Sequence, residues 1–136
     1  LADDTGLEVE ALNGAPGVLS SRYAGPNATY ADNVAKLLRD MQHVPAEQRT
    51  ARFRCVLAFV APNGVEEIVE GVCQGAITRE PRGIGGFGYD PIFLPDGHQL
   101  TFAEMPMEVK NTISHRARAL ARMKSVLMHY FAHSSR

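Results

Sequence analysis

The chain has 136 residues, 45% of them hydrophobic and 21% charged, with a formal net charge of −1 at pH 7. That is the length of one domain able to bury a core, and its composition excludes a disordered polymer. The charge balance excludes a field that recruits nucleic acid or an anionic membrane, and the longest apolar runs fall far short of the roughly 20 residues a spanning helix needs.

Residues 1–9 read as a short strand or extended stretch with a turn near Thr5-Gly6, followed by loop signals at Asn13-Gly14 and Pro16-Gly17. Thr29 is the predicted N-cap of a helix through Met41, with Ala31, Val34, Ala35, Leu38 and Met41 as its buried stripe and Pro45 ending it. From residue 51 the pattern changes to period two, with Phe53, Cys55, Leu57 and Phe59 on one face and Arg52 and Arg54 on the other. Pro62-Asn63-Gly64 is a turn signal and residues 65–78 a second β-rich run, so a hairpin is expected. A glycine-dense loop follows from Gly83 to Asp90, then a short strand over 91–94 and a turn at Pro95-Asp96-Gly97.

The last segment is helical, with Val109, Ile113, Ala117, Leu120, Met123, Leu127 and Phe131 on one stripe. On one continuous helix Lys110 and His115 would stand about 140° apart and could not face one ligand. A break is therefore expected within 111–114, with Ser114 as N-cap and His115 and Arg116 in the first turn of the final helix.

Charge is unevenly spread. Residues 1–34 sum to −4 and residues 106–136 to +5. A site gripping a metal and an anion together draws on such an arrangement, and two solvated faces would show it equally. Cys55 and Cys73 are too few for a disulfide framework or a four-ligand zinc site, so reduced thiols in the core of a cytoplasmic protein are expected. The opening residues lack the pattern of a secretory leader. A start at Leu1, running at once into a charged motif-like stretch, predicts that the sequence begins partway through a longer protein.

Three stretches could carry chemistry. In Asp3-Asp4, neighbouring carboxylates on a strand point to opposite faces, so one can meet a hydrated Mg²⁺ while the other is left for backbone donors, and surface turns carry such pairs equally. In the glycine loop, backbone without Cβ atoms can approach a ligand closely, and Phe87 and Tyr89 suit stacking on a planar base. No Gly-Lys-Ser/Thr follows, and the strand–GxGxxG–helix order is absent, so it is neither a P-loop nor a dinucleotide fold. Lys110, Ser114, His115 and Arg116 cluster donors at a helix start, a set suited to carbonyl or phosphate oxygens and unsuited to an amine. The residues near His129, Tyr130 and His133 read as a helix end in preference to a metal site.

Together, ADDTGLEV (2–9), GAPGVLSSRYAG (14–25), GGFGYDPIF (85–93), TFAEM (101–105) and KNTISHRARAL (110–120) resemble, in order and spacing, the inosine/xanthosine triphosphate pyrophosphatase (Ham1-like) family. The resemblance implies an elongated two-lobed α/β fold around a mixed β-sheet with flanking helices, here one domain over 1–136 without the family's N-terminal part. It implies hydrolysis of ITP, dITP and XTP to the monophosphate and pyrophosphate with Mg²⁺, by a cytoplasmic homodimer that takes a purine nucleotide and neither nucleic acid nor membrane. By that likeness Asp4 holds the metal and accepts the proton of the attacking water, with Thr5 next to the substrate. Phe87 stacks on the base, Phe87, Gly88, Tyr89 and Asp90 cradle it, and Lys110, His115 and Arg116 meet the base or its 6-oxo group.

Leu19 and Ser21 stand where the family commonly has Tyr and Ala, changes that look tolerable. The family's Ser/Thr-x-x-Asn-x-x-Lys phosphate loop and second metal-site Glu are not found in the sequence, so weak or absent catalysis by these 136 residues alone is expected. The sequence admits two other readings. One is a non-catalytic fragment that binds purine nucleotides; the other is an RNA-binding module, against which the net charge counts.

Overall fold

A computed structural model describes residues 2–60, 64 and 66–134. Five strands, β1 (Ala2–Val9), β2 (Pro16–Gly17), β3 (Thr50–Val60), β4 (Glu66–Ile77) and β5 (Phe93–Pro95), form one sheet in the order β2-β1-β3-β4-β5. The helices are α1 (Tyr30–Asp40), α2 (Met107–Ile113) and α3 (His115–Ser134). The α/β class is the expected one. Every strand pairing among the described residues is antiparallel, so the parallel part of a mixed sheet is not found in these strands.

The period-two pattern fixes which face of the hairpin is inside. Ala51, Phe53, Cys55 and Leu57 of β3 are buried, as are Gly71, Cys73 and Gly75 of β4. Cys55 and Cys73 are thus core thiols with no disulfide between them. The other face carries charge: Arg52 Nε meets Glu8 Oε1 at 2.6 Å and Arg54 Nη2 meets Glu70 Oε2 at 2.7 Å. The buried face is covered in two parts. Leu7, Val9 and Phe53 pack with Leu37 and Met41 from the α1 region and with Ile92, Phe93 and Phe102. Cys55 and Leu57 pack with Ala119 and Met123 of α3.

Several local expectations change. No turn interrupts β1 at Thr5-Gly6; a Cβ on Gly6 would lie 2.6 Å from the Gly17 carbonyl, so the glycine serves the close approach of β2. Thr29 does cap α1, in a reciprocal capping box with Asp32, but the helix ends at Asp40. Its inner face is Asn33, Val34 and Leu37, while Ala31 and Ala35 are exposed. Asn33 faces inward because its amide bridges the Ala24 N–H at 2.8 Å and the Ser21 carbonyl at 3.1 Å.

Residues 90–92 make a 3-10 turn where a strand was expected, and β5 begins at Phe93. On α3 the inner positions are Ala119 and Met123, and Leu120 is exposed. Of the 62–64 turn only Gly64 is described, and the side chains of Asp3, Tyr130, Phe131 and His133 lie outside the described residues.

Candidate active site

The helix break falls at Ser114 alone. Its backbone is extended (φ −65°, ψ 156°), and its Oγ accepts the Ala117 N–H at 3.1 Å, while its own N–H closes α2 on the Lys110 carbonyl at 2.9 Å. That cap uses the Ser114 hydroxyl as an acceptor. The one-residue break brings Lys110, His115 and Arg116 to one cavity of about 740 Å³, between the sheet and the three helices.

The glycine loop forms an adjoining wall, with Gly86, Phe87, Gly88, Tyr89 and Asp90. Asp90 organises it. This carboxylate is 3% exposed; its Oδ2 accepts the Phe87 backbone N–H at 3.0 Å and the Lys110 ammonium at 2.6 Å. Lys110 Nζ also lies 4.8 Å from the centre of the Phe87 ring and 5.5 Å from that of Phe102. Gly86 has φ +71°, and a Cβ there would stand 2.2 Å from Asp90 Oδ2, so only glycine leaves the carboxylate its place. Phe87 itself is half-exposed.

Tyr89 is buried and donates its hydroxyl to the Ser20 carbonyl at 2.6 Å. Burial, reinforced by Tyr23, pushes its phenol well above the usual range and keeps it neutral. Ser20 Oγ in turn accepts the Leu7 N–H at 2.9 Å and donates to the Gly17 carbonyl, tying the loop to β1 and β2. His115 is buried on the cavity floor with its ring stacked on Phe53, 4.6 Å between centres and 17° between planes. Arg116 is exposed at the rim.

Eight of the nine residues singled out from sequence therefore line one cavity: Thr5, Phe87, Gly88, Tyr89, Asp90, Lys110, His115 and Arg116. Asp4 does not. It occupies a neighbouring surface depression with Glu8, Gly17, Val18, Arg54 and Val56, on the strand face opposite Leu7 and Val9, and Thr5 and Gly6 border both that depression and the cavity. Among the described residues no three His, Cys, Asp or Glu side chains come together as a metal site.

The cavity also includes residues given no role from sequence: Ser20, Tyr30, Asn33, Phe53, Met107 and Asn111. Asn33 could have been found as the polar member of the Tyr30–Asn33–Leu37 helical spacing, and Asn111 as Lys110's neighbour in the last motif. Phe53, the third of three aromatic rings in contact with Phe93 and Phe102, carries only the signal of a core strand.

The family model described as "Ham1 family" matches residues 1–126. The chain belongs to the Ham1 family. A protein named dITP/XTP pyrophosphatase from Desulforamulus reducens is 53% identical over 133 residues, which is 98% of this chain and 66% of that protein. One of the same name from Opitutus terrae is 54% identical over 123 residues, covering 90% and 61%. Among solved structures, a HAM1 protein from Coxiella burnetii superposes with TM-score 0.87 at 49% identity, covering 94% of this chain and 66% of that one. The Ham1 protein of Staphylococcus aureus gives 0.90 at 40%, covering 95% and 66%. This Ham1 chain thus spans slightly under two-thirds of the length of these relatives. No helix among its described residues is long and apolar enough to cross a membrane.

Proposed function

We propose that the cavity receives the base of a 6-oxopurine nucleoside triphosphate and that the protein hydrolyses ITP, dITP and XTP to the monophosphate and pyrophosphate. The observation that carries the reading is the juxtaposition of the half-exposed Phe87 ring with Lys110, His115 and Arg116 in one cavity. Phe87 stacks on the base. Arg116 at the rim, with Lys110 and His115 deeper, presents hydrogen-bond donors to the base edge. Hypoxanthine and xanthine offer a carbonyl at C6, whereas adenine offers an amine, so adenine sets donor against donor. A lost buried hydrogen bond of that kind can discriminate by about 10⁴-fold. Lys110 is paired with Asp90, and Arg116 adds a second cation at the rim.

The chemistry breaks the anhydride bond between the α- and β-phosphates and adds water across it, the proton passing to a carboxylate. Asp4 is assigned that role and the holding of a divalent cation, which we take as Mg²⁺. Its exposed hard-oxygen donor fits a metal that needs only one or two protein carboxylates and fills its shell with water and phosphate. Glu8 on the same face is engaged by Arg52 and Arg54. The cation's contribution is to neutralise phosphate charge. Asp4 lies one residue from Thr5, which lines the cavity, so β1 carries the base site and the carboxylate on its two faces. A homodimer acting in the cytoplasm belongs to the same proposal and is read by light scattering and fractionation.

The position of Asp4 outside the cavity favours a second reading, in which this stretch binds purine nucleotides without cleaving them. One assay separates the two. ITP and ATP are titrated with and without Mg²⁺ and pyrophosphate release is followed. Release from ITP that disappears in Asp4→Asn, with nucleotide affinity retained, supports hydrolysis; binding of ITP with no release supports the second reading. Equal binding of both nucleotides contradicts the 6-oxopurine selectivity of the first reading.

A further inference from the structure

The recognition groups His115 and Arg116 occupy the first turn of α3, and their position depends on how near that turn stands to the sheet. The contact is made by backbone. A Cβ on Gly71 of β4 would lie 2.1 Å from the His115 carbonyl oxygen, 2.3 Å from the Ala119 nitrogen and 2.9 Å from the Ala119 Cα. No side chain can rotate away to make room, since all three are main-chain atoms of the helix. Gly71 is not among the glycines with positive φ, so its conformation suits any residue and the obstacle to a side chain is α3 alone. The next residue of the strand completes the contact: the Val72 carbonyl accepts a hydrogen bond from Arg118 Nη1 at 2.9 Å, one turn beyond His115.

We propose that Gly71 is a positioning residue for purine recognition, holding the start of α3 at main-chain contact with β4, and that Arg118 straps the same turn to Val72. Neither residue lines the cavity. Both act through His115, whose stacking on Phe53 requires the helix to sit this close. The proposal deepens the preceding reading and rests on its assignment of His115 and Arg116 to the base edge.

The test uses Gly71→Ala, Arg118→Met and, as a control for general loss of stability, Met123→Ala two turns further along α3. Two quantities are read in each: the ratio of affinities for inosine and adenosine 5′-monophosphates, and the His115 ring-proton resonances, which the Phe53 ring shifts. Gly71→Ala is expected to lower the ratio by about tenfold or more, because ångström-scale misplacement of recognition groups has effects of that order. It is also expected to move the His115 resonances toward random-coil values. Arg118→Met, at an exposed position, moves both in the same direction by less, about two- to threefold in the ratio. Met123→Ala lowers the unfolding midpoint and leaves the ratio alone.

Wild-type values of both quantities in Gly71→Ala and Arg118→Met would overturn the proposal. If Gly71→Ala does not fold, Arg118→Met decides by the same two readouts. If the wild-type chain fails to distinguish the two nucleotides, the base-edge reading fails. The His115 resonances then decide the positioning role alone: displaced in the variants they sustain it, unmoved they refute it.

Discussion

Lys110 Nζ stands 2.6 Å from Asp90 Oδ2, and the same oxygen accepts the Phe87 backbone N–H at 3.0 Å. One buried carboxylate therefore sets both the cation at the base edge and the aromatic that stacks on the base. Asp90→Asn keeps an acceptor for Phe87 but leaves the Lys110 charge buried without its partner. It is expected to cost about 3 kcal/mol or more in unfolding free energy. Urea titrations of Asp90→Asn, Lys110→Met and the double variant measure it. Additive losses would show that the pair is not coupled.

Gly86→Ala adds a Cβ 2.2 Å from Asp90 Oδ2 at a backbone of φ +71°. The carboxylate must move, and Phe87 loses its anchor. Affinity for inosine nucleotides is expected to fall by about tenfold or more, in line with ångström-scale displacement of binding groups. Gly88→Ala, also at positive φ but with open space around the Cβ, is the comparison for backbone strain alone. Equal effects would remove the role given to Asp90.

Arg49 is a buried guanidinium bonded to carbonyl oxygens. It donates to Ile77 and Thr78 at 2.8 Å, to Met41 at 2.7 Å and to Val44 at 3.2 Å, joining the end of α1 to the end of β4. Arg49→Met strands several buried carbonyls and is expected to cost about 3 kcal/mol or more. Arg49→Lys recovers less than half, because a single ammonium cannot span acceptors spread around a planar fork. A loss below about 1 kcal/mol in urea unfolding would contradict this.

How much of this was legible in sequence depends on whether local chemistry or distant neighbours decided it. The Thr29 cap and the Ser114 break were readable, because capping depends on adjacent residues. The hairpin face was readable because alternation is local. The inner face of α1 was not: Asn33 displaces alanines from it through bonds to Ser21 and Ala24, which lie in a separate loop. The α3 stripe holds at Met123 and Leu127 and fails at Leu120, since a glycine on β4 brings Ala119 against the sheet in its place. Within the site, the motif residues other than Asp4 converge on the cavity, whereas Phe53 and Asn33 read as scaffold. The pairing of Lys110 with Asp90 was not visible, because twenty residues separate them.

Tyr23 and Asp40 share a hydrogen bond that makes stability pH-dependent at both extremes. The Tyr23 phenol, half-buried and beside the Asp40 carboxylate, is raised from 10.0 to about 12. Accepting that bond holds Asp40 below its usual 3.8. The raised group stabilises the fold below pH 10 and loses that contribution as pH climbs toward 12; the lowered one stabilises above pH 3.8 and loses it on acidification. Tyr23→Phe should therefore flatten both limbs of a plot of unfolding midpoint against pH. Curves that stay parallel to the wild type would contradict the coupling.

The central claim is that the cavity reads the C6 edge of a purine, and nucleosides test it without phosphate or metal. Calorimetric titration of inosine and adenosine into the wild-type chain and into Arg116→Ala isolates the base. The account requires inosine to bind more tightly than adenosine by about tenfold or more in the wild type, and that margin to collapse in Arg116→Ala. Equal affinities in the wild type, or a margin that survives loss of the guanidinium, would contradict it.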